Sequence, residues 1–178
     1  MPIVAKLIRS SADWYEEFVD EKDLDQHYVG QEWIEHNYEK RSFYLGYIGD
    51  DPVGTISLQD FGDYLYIGYL YLDAKQVGKK LGHRLMSFAF DLARMIGKQG
   101  LVLIAHPEAI WATRAYLKFG FQLESNNKDD ILGWNDGVLE EYHEEGFELY
   151  VCDAKRQKYQ PSSSYVLGTG ILQPVVSV

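Results

Sequence analysis

Leu70-Tyr71-Leu72-Asp73-Ala74-Lys75-Gln76-Val77-Gly78-Lys79-Lys80-Leu81-Gly82-His83-Arg84-Leu85 carries an apolar run into a loop and the loop straight into a helix. The run behind it, Tyr64–Leu72 (YLYIGYLYL), is almost continuously apolar, as a central strand buried on both faces reads. Ahead of it, Lys79–Ile96 repeats apolar residues at Leu81, Leu85, Phe88, Leu92 and Met95, with Ala89 and Ile96 widening the stripe. Steps of three and four put these on one helical face, and Gly97 and Gly100 stop the helix. A helix N-terminus presents N–H groups without helical partners and a partial positive charge. Glycine at 78 and 82 lets a ligand approach the backbone closely, and lysines stand at the same place. These features describe a cradle for a phosphate or pyrophosphate. The loop is neither GxxxxGK[ST] nor GxGxxG, and two glycines four apart also suit an ordinary helix start.

Outward toward the N-terminus, Asp60-Phe61-Gly62-Asp63 is a turn, and Val53–Leu58 and Ser42–Ile48 form a hairpin about Gly49-Asp50-Asp51-Pro52. A helix is predicted over Gln26–Glu39, with Tyr28, Trp33, Ile34 and Tyr38 as its apolar members. Another runs through Trp14, Tyr15 and Phe18, with N-cap chemistry at Ser10, Ser11 and Asp13. Pro2–Arg9 alternates enough to be a first strand. Toward the C-terminus, Leu101–Ala105 is a short apolar strand. Pro107 suits the first turn of a helix that runs to Phe119 and ends at Gly120, and Phe121–Leu123 and Phe147–Cys152 read as strands. The stretch between those two is polar and acidic. The order is that of a mixed α/β domain whose sheet is antiparallel at first and parallel across the central crossover. No repeat is present. One domain over 1–154 is expected, with 155–178 as a tail or extra strand.

Composition narrows the function classes. The 178 residues carry 17 Lys+Arg against 27 Asp+Glu, a net charge of −10, which repels nucleic acid as a partner and attracts cations. The acids concentrate at 13–25 and at 121–150, where nine acids face Lys128 alone. Such runs are also ordinary solvated, solubilising faces. Between them, 75–84 holds Lys75, Lys79, Lys80 and Arg84 with no acid, the one basic window for an anionic ligand. No apolar run approaches the ~20 residues that span a bilayer, and Met1–Ser10 lacks the core of a secretory signal. A single cysteine, Cys152, excludes an internal disulfide framework and a Cys-rich zinc site, and a cytoplasmic setting follows as the expectation. The histidines do not cluster as ligands, so no metal is predicted.

Two segments carry a family resemblance. Leu70–Leu85 resembles motif A of the GNAT superfamily of acetyl-CoA-dependent N-acetyltransferases, a strand and turn followed by Arg/Gln-x-x-Gly-x-Gly/Ala opening a helix. Ala112-Thr113-Arg114-Ala115-Tyr116-Leu117-Lys118-Phe119-Gly120-Phe121 is similar to motif B, Ala-x-x-x-Tyr-x-Lys-x-Gly-Phe, in family order and spacing. The chain departs from the pattern at Val77 (Arg/Gln in the family), Lys80 (the first glycine), Ala74 (the proline of the turn) and Ala109 (the asparagine opening motif B). Tyr66, Ile67, Gly68 and Tyr69 fill the region where a glutamate base often stands.

The resemblance implies a GNAT-like acyl-CoA N-acyltransferase fold, its central mixed sheet splayed between the fourth and fifth strands. It implies acetyl-CoA as co-substrate. The pyrophosphate would lie on Val77, Gly78, Lys79, Lys80, Leu81, Gly82 and His83, and the pantetheine arm along the backbone of Leu70, Tyr71 and Leu72. A small-molecule or peptide amine, cationic by the charge argument, attacks the thioester directly. Tyr116 matches the thiolate-protonating tyrosine, its phenol near pKa ~10 suited to a thiol of ~8.5. His106, at the end of the strand beside the cleft, is the candidate base, with Glu32, Glu35 and His36 on a helix that in the family often lines the acceptor site. Many relatives use a water chain instead of a base. The departures leave a second reading open, an acyl-CoA-binding protein of the same fold with little turnover, acting as a sensor or partner subunit. No membrane partner is expected, and a homodimer is compatible with either reading.

Overall fold

In the computed structural model the chain divides into two compact units, Met1–Gln59 with Tyr69–Leu85 and Ser162–Val178, and Asp60–Gly68 with Met86–Pro161. The structure describes residues 1–15, 29–155 and 172–174.

The first unit begins with a helix, α1 (Pro2–Tyr15), where alternation predicted a strand over Pro2–Arg9. The burial pattern explains the difference. Val4, Ala5, Leu7, Ile8 and Ser11 are all buried, with Ile3, Lys6 and Arg9 outside. Positions 4, 7, 8 and 11 share one face only at 3.6 residues per turn, whereas a strand would part Leu7 from Ile8. Ser10 and Ser11 accordingly do not cap a new helix; both hydroxyls donate back to the Leu7 carbonyl, at 2.9 and 3.1 Å. Phe18, most of the 13–25 acidic block and the predicted helix start at Gln26 lie outside the described residues. The second helix, α2, spans Gln31–Lys40 from Gly30 as its N-cap. Arg9 of α1 donates to the Val29 carbonyl at 2.8 Å and fixes the entry to α2.

The hairpin forms as read, β1 (Ser42–Ile48) antiparallel to β2 (Asp51–Phe61), and β3 covers Tyr64–Leu72. A C-terminal strand, β7 (Leu172–Pro174), pairs antiparallel with Tyr44–Gly46 of β1. The core of this unit joins Val4, Leu7 and Ile8 of α1, Val29, and Phe43 and Leu45 of β1, with Trp33, Tyr69 and Tyr71 packed against them. The helix after the loop, α3, spans Leu81–Met95, and its first turn belongs to this unit.

In the second unit β3 pairs in parallel with β4 (Gly100–Ala105) over three residues, Tyr64–Tyr66 with Gly100–Val102. With Pro2–Arg9 helical, the strands expected as fourth and fifth are the third and fourth of the chain, β3 and β4. Full burial within β3 is confined to Leu65–Ile67; from Gly68 onward the strand is half-buried rather than covered on both faces. Helix α4 spans Ile110–Phe119, β5 Gln122–Ser125, α5 Lys128–Gly133 and β6 Glu148–Asp153. The acidic stretch after β5 thus holds a helix, capped by Asn127, whose side chain accepts from the Asp129 and Asp130 amides at 2.9 and 3.2 Å.

Strand β6 pairs antiparallel with both β4 and β5, and Leu149 and Val151 meet Val102, Phe61, Ile131 and Leu139 in this unit's core. Gly100 opens β4 rather than stopping the preceding helix: a Cβ there would run into the Cys152 carbonyl. Read through β3, the strand order is β5-β6-β4-β3-β2-β1-β7, a mixed sheet.

Candidate functional site: the loop and helix start after β3

Alternate residues of β3 turn toward β2. The Tyr69 amide donates to the Ser57 hydroxyl at 2.9 Å and the Asp73 amide to the Val53 carbonyl at 3.0 Å. The two-residue period of a strand then turns the amides and carbonyls of Leu70 and Leu72 to the opposite edge. The Leu72 carbonyl is already engaged there, by the Ser11 hydroxyl at 2.9 Å. Leu70 therefore turns its backbone groups to this edge, whereas the Leu72 carbonyl there has a partner within the protein. Sequence reasoning missed Ser11 because it took the residue for a helix cap.

Beyond Leu72 the chain makes a short 3-10 turn, Ala74–Gln76, capped by Asp73, whose carboxylate accepts from the Lys75 amide at 2.9 Å. The Lys79 amide closes onto the Gln76 carbonyl at 3.3 Å, and its ammonium onto the Gln76 side chain at 2.9 Å. Gly78 and Lys80 both have positive φ, +84° and +62°. Only glycine adopts that region freely, so Lys80 holds a conformation suited to the glycine that motif A has there. The first bond of α3 runs from the Arg84 amide to the Lys80 carbonyl at 3.1 Å. The amides of Leu81, Gly82 and His83 thus precede the helical ladder at the positive end of the helix dipole. A Cβ on Gly82 would stand 3.7 Å from Leu72 Cδ1, ordinary contact. Val77, Gly78, Lys79 and Lys80 are exposed. The first unit thus gathers Leu70, Tyr71, Leu72 and 77–83 at one strand end and helix start. That arrangement can receive a polyanion through helix amides and two lysines.

His106 and Tyr116 belong to the second unit. His106 Nδ1 accepts from the Glu108 amide at 3.3 Å, and its ring packs edge-on against Phe147 at 5.9 Å. The His106 carbonyl accepts from the Ala109 amide at 3.0 Å, so this turn closes before α4 begins. Pro107 sits in the turn, not in the first turn of the helix as predicted. Tyr116 is half-buried on α4, its ring 5.9 Å from Phe121. The Tyr116 carbonyl accepts from the Gly120 and Phe121 amides at 3.1 and 3.0 Å, with Gly120 at φ +124°. The Tyr-x-Lys-x-Gly-Phe ending is therefore a helix C-cap in which glycine is a conformational requirement. Glu32, Glu35 and His36 lie on the exposed side of α2, and the Gln31 side chain donates to Glu35 at 2.8 Å. Cys152 is fully buried in β6, and burial, with Asp153 beside it, pushes its thiol pKa up to about 12, the state of a packing residue rather than a nucleophile. Among the described residues no group of three or more His, Cys, Asp or Glu is placed to hold a metal, and no helix is long and apolar enough to cross a membrane.

A mixed sheet with a three-residue parallel contact at β3–β4, and a glycine- and lysine-bearing loop that opens the helix after β3, make an acyl-CoA N-acyltransferase-like architecture. Residues 6–121 match the acetyltransferase (GNAT) family, and the chain belongs to it. Holothin acyltransferase from Pseudoalteromonas sp. (strain SANK 73390) is 34% identical over 86 residues, 48% of this chain and 27% of that protein. The chain thus matches little more than a quarter of that relative's length. Among solved structures, the PaiA N-acetyltransferase of Thermoplasma acidophilum, in complex with coenzyme A, superposes with a TM-score of 0.63 at 18% identity, covering 84% of this chain and 89% of that one. N-acetylglutamate synthase from Neisseria gonorrhoeae, complexed with coenzyme A and N-acetylglutamate, gives 0.60 at 20% identity, over 86% of this chain and 32% of that one. At these identities the likeness is one of fold.

Proposed function

We propose that the protein transfers an acetyl group from acetyl-CoA to a primary amine, a cationic small molecule or a peptide amine, by direct attack in a ternary complex. The observation that carries the cofactor assignment is the start of α3. Three amides precede the helical ladder, Gly78 and Lys80 turn the loop through left-handed backbone, and Lys79 and Lys80 lie exposed beside them. The coenzyme A complexes of the solved relatives support the same choice of ligand. In this reading Leu70 receives the pantetheine arm and Tyr116 protonates the departing thiolate. His106 remains the candidate base, its Nδ1 engaged by the Glu108 amide and its Nε2 the nitrogen left for chemistry. The lone buried cysteine suits a reducing, cytoplasmic setting.

A second reading, an acyl-CoA-binding protein with little turnover, is favoured by the departures at Val77 and Lys80 in motif A and by Tyr66, Ile67, Gly68 and Tyr69 filling the region where family members often carry a glutamate base. One measurement separates the two. Thiol release from acetyl-CoA is followed with spermidine, glucosamine and a lysine-rich peptide as acceptors. Acceptor-dependent release supports the transferase. Tight acetyl-CoA binding by calorimetry with no release above the uncatalysed rate supports the binder, and no binding at all ends both.

A further inference from the structure

Within the first unit, β3 presents different chemistry on its two faces. On one, Leu72 fills the space between β2 and α3. A Cβ on Gly54 would meet Leu72 Cδ2 at 2.8 Å and Leu85 Cδ1 at 3.2 Å, and Leu72 Cδ1 reaches to 3.7 Å from a Cβ on Gly82. On the other face stands Tyr69, and its ring is fixed from several sides. Trp33 meets it edge-on at 5.2 Å and 77°, Phe43 stacks on it at 6.1 Å and 26°, and Tyr71 lies at 6.2 Å. The Arg41 guanidinium lies over the ring at 5.0 Å from its centroid. The Tyr69 hydroxyl accepts from Trp33 Nε1 at 3.1 Å, which is its one hydrogen bond among the described residues. One lone pair is thus spoken for, while a second lone pair and the O–H remain on a half-buried phenol whose direction the clamp has set.

We propose that the Tyr69 hydroxyl receives and orients the attacking amine nitrogen. The inference rests on the acetyl-transfer reading. A thioester lying along the Leu70 edge has the Leu72 face closed to it by α3, so an amine reaches its carbonyl from the Tyr69 face. There one N–H of the amine donates to the remaining lone pair of the phenol, which aims the nitrogen's own lone pair at the thioester carbon. The N–C bond then forms as the C–S bond breaks. The nitrogen loses one proton and the thiolate gains one, and Tyr69 is unchanged. Trp33 does not touch the amine. It is a positioning residue that fixes the phenol oxygen.

The test is steady-state kinetics with acetyl-CoA and whichever of spermidine, glucosamine or the lysine-rich peptide the parent uses fastest. Tyr69→Phe keeps the ring and its packing. It is expected to raise the amine KM and lower kcat, with kcat/KM down about tenfold, the size of one neutral hydrogen bond, and the acetyl-CoA KM within about twofold of the parent. Trp33→Phe removes the N–H and keeps a ring. It is expected to cost less than Tyr69→Phe, and to cost nothing further when combined with it. Parental amine kinetics in Tyr69→Phe overturn the proposal alone and leave acetyl transfer standing, as does a lowered melting temperature with an unchanged amine KM, the mark of mere packing. Losses that multiply in the double variant overturn the positioning role of Trp33. A parent that releases no thiol with any amine overturns the acetyl-transfer reading, and this proposal with it.

Discussion

Lys80 and Gly82 separate two effects that usually arrive together, backbone fit and ligand charge. Lys80 holds φ +62°, a conformation that costs a side-chain-bearing residue about 1 kcal/mol relative to glycine. Lys80→Gly should therefore raise the melting temperature by a few degrees while removing a cation from the cradle. Calorimetry should show weaker acetyl-CoA binding with a shallower salt dependence. Gly82→Asp works in the opposite sense. A carboxylate in the first turn of α3 suits the helix dipole, and the space beside Gly82 admits a Cβ, so the fold should hold. The same carboxylate faces an incoming pyrophosphate, and acetyl-CoA affinity should fall at least tenfold. Parental affinity in Gly82→Asp would move the cofactor site elsewhere. At Tyr116 the ring contact with Phe121 survives a change to phenylalanine. Tyr116→Phe should thus lower kcat at least tenfold with the acetyl-CoA KM nearly unchanged, and equal turnover would leave Tyr116 a packing residue.

At the scale of elements, legibility followed how local the deciding information was. The hairpin, β3 and α3 could be read because turn residues and apolar period agree within each segment. The loop and helix start on which the cofactor proposal rests could be read because all their parts are contiguous from Leu70 to His83. The Tyr69 clamp could not, since Trp33, Arg41, Phe43 and Tyr69 come from α2, the residue after it, β1 and β3, and only tertiary packing assembles them. Pro2–Arg9 failed for another reason: Ile3-Val4 and Leu7-Ile8 are doublets, which a period of two and one of 3.6 both half-explain. Burial decides for the helix, and substitution checks it. Ile8 is fully buried, so Ile8→Ala should cost about 2–5 kcal/mol in denaturant unfolding, and Leu7→Ala a comparable amount. Ile3 is 41% exposed, so Ile3→Ala should lie within about 0.5 kcal/mol of neutral. A strand would instead give Ile3 and Leu7 the same cost.

Strand β6 carries its own prediction. Burial holds the Cys152 thiol pKa up at about 12. Burial first, and then the bond from its hydroxyl to Glu148 at 2.5 Å, push that of Tyr150 upward as well. An acid whose folded pKa is raised stays protonated in the native state after the unfolded chain has lost its proton. Its contribution to stability is complete below the unfolded thiol value of ~8.5 and declines as pH rises toward about 12. The urea midpoint should fall over that window, and Cys152→Ala, though less stable at pH 7, should show a shallower decline. Equal slopes would mean that Cys152 stays protonated on unfolding or is not buried.

For the whole molecule, the net charge of −10 is the property most open to a solution test. Part of its acid content has a structural explanation. Asp129 and Asp130 sit in the first turn of α5, where the dipole favours them, Asp130 accepts from the Ser125 hydroxyl at 3.1 Å, and Glu145 pairs with Lys128 at 3.1 Å. Helix capping and a surface pair do not require the whole surplus of ten acids over bases, and Asp129, Asp130, Glu140 and Glu141 are all exposed. An exposed anionic surface concentrates cations at long range, and salt weakens that attraction over a Debye length of ~8 Å at physiological ionic strength. A neutral or anionic acceptor gains nothing from it. If the acceptor is a cationic amine, its apparent KM should therefore rise as salt is added from about 20 to 300 mM, while kcat, set after binding, stays nearly constant. Replacing Asp129, Asp130, Glu140 and Glu141 by Asn or Gln should raise the low-salt KM and flatten its salt dependence. The KM for acetyl-CoA should also rise with salt because its proposed site is basic, so the amine titration is run at saturating acetyl-CoA. A salt-independent amine KM, or the same salt dependence in the neutralised variant, would make the acidic surface a solubility feature and would leave the family, the fold and the cradle at α3 untouched.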